Sequence, residues 1–154
     1  MRIRSYLQES PLFAITKTAR ILEANLNRAL QDEDLTFLQG LVLVAVFLED
    51  PAMVSPSELA DGFSTTRGNM SHCLSSLEAR GLVKRQIDPG DARILRISIR
   101  QEGRKRAMRL VRTFDRIQHL MERELGAKNI SQTLASIARI EALSLEMAAR
   151  YAAG

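Results

Sequence analysis

The sequence predicts a mainly α-helical chain with one small β-hairpin, a winged helix-turn-helix flanked by N- and C-terminal helices. Three observations carry this reading. Two short helices with cap signals are separated by only a few residues around Gly62; the periodicity switches from helical to two-residue after Gly81; and long amphipathic stretches occupy both ends. With 154 residues, 45% of them apolar, the chain is sized for a single domain with its own core.

Each element has a local cause. From Pro11 to Leu30 the apolar residues Leu12, Ile15, Ala19, Leu22, Leu26 and Leu30 recur every three or four positions, forming one stripe along a helix. After the acidic run Asp32-Glu33-Asp34, residues 35–48 are apolar on nearly every side and read as a buried central helix, ended by Pro51. Ser55-Pro56-Ser57-Glu58 combines a capping box with proline at the first helical position, so a short helix runs from Pro56 to Asp61 and Gly62 stops it. Ser64 or Thr65 caps the next helix, which continues to Gly81. Its Met70, Leu74 and Leu77 share one face, while Thr65, Gly68, His72, Ser75 and Ser76 lie around the other. Residues 83–87 and 94–99 alternate as strands joined through Asp88-Pro89-Gly90-Asp91. Helical spacing returns from Gln101 to Leu125 and again beyond Gly126, where Asn129 with Gln132 is the expected cap.

Charge is distributed unevenly along the chain. The net charge is +4, but residues 1–31 carry +3, residues 32–62 carry −7, residues 63–110 carry +7 and residues 111–154 carry +1. A compact basic stretch suggests a surface aimed at a polyanion. A slim polar second helix suits a major groove about 12 Å wide. Lys84, Arg85, Arg93, Arg96 and Arg100, on and beside the hairpin, are placed to meet phosphates or a narrow minor groove.

At this point the stretch SELADGFSTTRGNMSHCLSSLEARGLVKRQIDPGDARILRISI resembles the DNA-binding lobe of the MarR (multiple antibiotic resistance regulator) family. The resemblance lies in LEARGLVKR and in the wing pattern Asp88, Pro89, Asp91 and Arg93. It implies a homodimeric, sequence-specific transcriptional regulator, a repressor in function, binding a pseudo-palindromic operator in double-stranded DNA. Residues 35–100 would form the winged helix-turn-helix lobe, and residues 1–31 and 101–154 the helical dimerisation region of a single 1–154 chain. The matching recognition-helix positions are Thr65, Thr66, Arg67, Asn69, Ser71, His72, Ser75 and Ser76; the wing positions are Arg85, Asp91, Arg93 and Arg96. Arg93 matches the wing-tip arginine that enters a minor groove, with Asp91 as its orienting partner. Two departures are visible: Ala92 stands where a second wing arginine is common, and Ile99-Arg100 replaces a frequent Leu-Thr.

Some members of the family bind small aromatic or phenolic effectors, for which Phe13, Arg20, Phe37 and Phe47 are the available lining residues, with Arg28 nearby; aromatics at helical spacing otherwise serve as plain core. The family's peroxide-sensing cysteine has no counterpart, because the lone Cys73 lies in the recognition helix beside its packing face and reads as a packing residue. Two histidines, His72 and His119, and one cysteine make a poor metal set. There is no glycine-rich phosphate loop, nucleophile elbow or HExxH, so neither an enzyme nor a cofactor is expected. No apolar run is long enough to span a membrane, and no secretory signal is evident, so a cytoplasmic protein is expected. The competing reading is a winged-helix protein-interaction module without specific DNA binding, docking through the wing or the acidic residues 32–62.

Overall fold

A computed structural model describes residues 3, 7, 9–88, 90, 91 and 93–152. Pro89 and Ala92 lie outside the described residues. Among the described residues, the continuous α-helices and the hairpin follow in the order α1 Pro11–Ala29, α2 Phe37–Glu49, α3 Pro56–Gly62, α4 Arg67–Ala79, β1 Val83–Ile87, β2 Leu95–Ile99, α5 Gln101–Leu125 and α6 Ala127–Ala152. The chain divides into two compact units, Met1–Val111 and Arg112–Gly154. This is the predicted mainly helical architecture with its small wing.

Caps fix the boundaries. Ser10 caps α1, with Pro11 next, and Thr36 with Gln39 makes a reciprocal capping box on α2. That box starts α2 at Phe37 rather than at Leu35, which instead is buried in the preceding turn. Asn27 of α1 also accepts the Phe37 backbone N–H at 2.6 Å, tying the two helices together. The Ser55–Glu58 box on α3 forms as its sequence demands. For α4 the cap is Thr66, not Ser64 or Thr65. Ser64 takes φ 47 to turn the chain between the two helices, which shifts the capping position two residues on. Gly81, at φ 70, closes α4: its N–H reaches the Glu78 carbonyl, and the Leu82 N–H reaches the Leu77 carbonyl. The expected Asn129 cap is absent. α6 already begins at Ala127 after Gly126 (φ 82), and the Asn129 amide donates back to the Leu125 carbonyl at 2.8 Å.

The hairpin is antiparallel, with Val83 opposite Ile99 and Ile87 opposite Leu95. Val54 adds a third, single-residue rung by pairing with Ile97. Thus the loop before α3 is stitched to the wing.

The core of the first unit is contributed by every layer of the lobe. Leu43 and Val46 from α2, Leu59 from α3, Met70, Leu74 and Leu77 from α4, Val83 and Ile97 from the sheet, and Ala107 and Leu110 from α5 are all buried. Gly103 permits the first turn of α5 to press against the chain before β1: a Cβ there would lie 2.0 Å from the Leu82 carbonyl oxygen. That carbonyl accepts the Arg100 N–H at 2.9 Å and is held in place. In the second unit no described residue is buried. Along α6 the apolar residues Leu134, Ile137, Ile140, Leu143 and Met147 form an exposed stripe.

Candidate nucleic-acid interface

The second helix of the helix-turn-helix, α4, has a clean division of faces. Met70, Cys73, Leu74 and Leu77 are buried; Thr66, Arg67, Asn69, Ser71, His72 and Ser75 are exposed, with Thr65 and Ser76 half-buried. The 3.6-residue repeat causes this, because apolar side chains recur at three- and four-residue intervals and the polar ones fill the remainder. Cys73 is 3% exposed, and burial pushes its thiol up to about 11, so it stays a neutral packing group at physiological pH.

The polar face is ordered from within. Thr66 Oγ1 accepts the Asn69 backbone N–H at 3.1 Å, and the Asn69 amide donates to Thr65 Oγ1 at 2.8 Å, so Asn69 braces the N-terminus of α4. Ser76 accepts from Gln39 Nε2 at 3.0 Å, which ties it to α2. Ser71 and Ser75 lie on the flank facing β1, where Arg85 reaches both. No side-chain hydrogen bond of His72 is found among the described residues.

The wing is built around Asp88. Its Oδ1 accepts the backbone N–H groups of Gly90 at 2.7 Å and Asp91 at 3.2 Å, and its Oδ2 accepts from Arg96 Nε at 2.7 Å. The Arg96 contact, followed by the Gly90 N–H, holds this carboxyl below its usual range. Arg96 also reaches Glu58 of α3 at 3.1 Å. Asp91 orients the backbone of Arg93, accepting its N–H at 2.9 Å, and leaves the guanidinium exposed.

The cations of the +7 segment therefore sort into two sets. Arg80 pairs with Asp34 at 2.8 Å, Arg85 with Glu78 at 3.1 Å, Arg96 with Asp88 and Glu58, and Arg104 with Asp50 at 2.6 Å. Arg109 grips Glu33 with two bonds of 2.6 and 2.8 Å, Arg106 donates to the Glu33 carbonyl, and Lys105 lies 3.9 Å from Glu102. Among the described residues, Arg67, Lys84, Arg93 and Arg100 have no such partner, and all four are exposed. They sit on the first turn of α4, on β1, at the wing tip and at the end of β2.

The proposed effector residues come from α1 and α2. Phe13 and Arg20 are exposed on α1, Phe37 opens α2, and Phe47 lies under the Arg104 guanidinium at 5.8 Å. An open groove of about 390 Å³ is lined by Ala45, Glu49, Met53, Val54, Leu59 and Phe63, among others. No cluster of metal-ligating side chains is present among the described residues, and no described helix is long and apolar enough to cross a membrane. Sequence reasoning missed Glu78. The signal was the spacing of Ser71, Ser75 and Glu78, which places all three on one flank of α4.

This geometry is that of a winged helix-turn-helix. Residues 33–94 match the MarR family. Among solved structures, the transcriptional regulator SlyA is 26% identical, over 88% of this chain and 94% of that one, with a TM-score of 0.77. The transcriptional regulator BldR from Sulfolobus solfataricus is 26% identical, over 92% and 98%, with a TM-score of 0.70. The S. aureus MepR–DNA complex shares the fold at 19% identity, over 86% and 97%, with a TM-score of 0.80. No curated protein matches by sequence. The MarR family match thus covers the helix-turn-helix and most of the wing, and over most of its length the chain is similar to the regulators SlyA and BldR.

Proposed function

We propose that this chain is a DNA-binding transcriptional regulator of the MarR type, a homodimer that represses by occupying a pseudo-palindromic operator. The observation that carries DNA contact is the sorting of the cations. Most are engaged by carboxylates or backbone carbonyls, Arg85 and Arg96 of the hairpin included, and those without such a partner among the described residues, Arg67, Lys84, Arg93 and Arg100, lie on α4 and along the hairpin. Ser71, His72 and Ser75 supply the polar groups for base edges, with Thr65, Thr66 and Asn69 ordering the N-terminus of the helix for phosphate. Arg93 enters the minor groove beside it. The second subunit is supported by the apolar residues left exposed along α1 and α6. A two-fold axis would set half-sites about 34–36 Å apart, one DNA turn. A small aromatic or phenolic effector that lowers operator affinity completes the reading, supported by the family resemblance.

The test is selection of duplexes from a random pool by the purified chain, followed by binding titrations across salt concentration. A palindromic motif, with log K falling steeply against log salt, is the expected result. Weak, sequence-blind retention would overturn it in favour of a protein-interaction module. Sedimentation of the free protein checks the dimer.

A further inference from the structure

Ser75 is exposed on α4, but its hydroxyl is fixed from two sides. It donates to the Ser71 carbonyl at 2.9 Å and accepts from Arg85 Nη2 at 2.9 Å. The same Arg85 nitrogen donates to the Ser71 carbonyl at 3.0 Å. Arg85 Nη1 donates to Glu78 Oε2 at 3.1 Å, and the Arg85 backbone N–H donates to Glu78 Oε1 at 2.9 Å. The guanidinium from β1 is therefore laid along the Ser71–Ser75–Glu78 flank of α4, with its side chain 26% exposed.

A serine hydroxyl has one proton and two lone pairs. Here the proton and one lone pair are committed inside the protein, so a single lone pair faces outward. In the major groove the groups that donate to such an acceptor are the amino groups of adenine (N6) and cytosine (N4); guanine and thymine present acceptors. We infer that Arg85 is a positioning residue that makes Ser75 an acceptor-only reader, so that Ser75 selects a base through the exocyclic amino group of adenine or cytosine. The inference rests on the DNA-binding reading above. It also assigns Arg85 a task other than phosphate contact: its fork is occupied by Glu78, Ser71 and Ser75, unlike the guanidinium of Arg93.

The experiment starts from the operator selected by the wild-type protein and finds the position whose preference Ser75→Ala relaxes. The adenine or cytosine there is then replaced by its analogue lacking the amino group. Wild-type affinity should fall about threefold to tenfold, the worth of one ordinary hydrogen bond, and Ser75→Ala should be indifferent to the replacement. In Arg85→Ala the hydroxyl is held only by its bond to the Ser71 carbonyl, so the dependence on the amino group should weaken while the slope of log K against log salt stays at the wild-type value. Arg85→Lys keeps the charge without the fork and should behave the same way, which covers the case where the alanine variant folds poorly. A slope reduced by about 0.9 in Arg85→Ala would make Arg85 a phosphate contact and overturn the inference. So would a Ser75→Ala protein with unchanged preference at every position, or dependence on a purine N7 in place of the amino group. Failure of the wild type to select any motif would sink the DNA-binding reading itself, and this inference with it.

Discussion

The winged lobe and the terminal helices are both helical, but only the lobe completes itself. In residues 36–100 each helix has a side-chain cap, the core is closed together with Ala107 and Leu110 of α5, and Glu58 and Asp50 are matched by arginines. Helices α1 and α6 contain no buried residue, although each carries an apolar stripe at helical spacing. Amphipathic periodicity thus marks a surface that must be covered, without saying by what. Inside the lobe the cover is the rest of the same chain; at the ends it is the proposed second subunit.

The sharpest way to break this contrast is to charge the uncovered stripe. Ile137→Glu on α6 should leave the lobe folded but shift the protein to monomers in sedimentation. Operator affinity should then fall about 100-fold or more, because two linked half-site contacts become one. A wild-type protein that sediments as a monomer would show that the stripe is simply exposed. Next in size is a substitution within the closed region. Gly103→Ala puts a methyl group 2.0 Å from the Leu82 carbonyl oxygen, where a held backbone cannot yield. A loss of about 2–3 kcal/mol in denaturant unfolding is expected, from overpacking. Thr66→Ala, which removes the cap of α4, should cost about 1 kcal/mol. Arg93→Ala should leave stability unchanged and lower the salt slope by about 0.9, because its guanidinium has no partner to lose among the described residues.

The contrast also explains what could be read from the sequence. Elements governed by neighbours a few residues away were legible: the α3 capping box, the Gly81 stop and the strand alternation of the wing all depend on short-range chemistry. The α4 cap was misplaced because Ser64, Thr65 and Thr66 are chemically equivalent as caps, and the left-handed turn at Ser64 decides among them. The need for Gly103 was invisible, since it arises from a carbonyl 21 positions earlier in the chain. For the interface, the polar face of α4 was legible as a pattern. Which arginines stay free was not, because pairs such as Arg80 with Asp34 and Arg109 with Glu33 join distant positions. Total charge therefore overstated the interacting surface. The acidic segment offers less to a protein partner than its −7 suggests, because Glu33, Asp34, Asp50 and Glu58 are already engaged.

That pairing has a pH signature, the smallest of the expected effects. The two hydrogen bonds from Arg109 hold the Glu33 carboxyl below its ordinary range, outweighing the opposing effect of burial. In the unfolded chain the carboxyl returns to about 4.3. A group whose folded value lies below its unfolded one adds stability above the unfolded value and loses it as the pH falls through the folded one. The stability gap between wild type and Glu33→Gln should therefore be level from about pH 6 to 8 and narrow progressively below about pH 5. Denaturant midpoints across that range measure it. A gap that stays constant down to about pH 3 would mean that the ionic part of this contact adds nothing to stability.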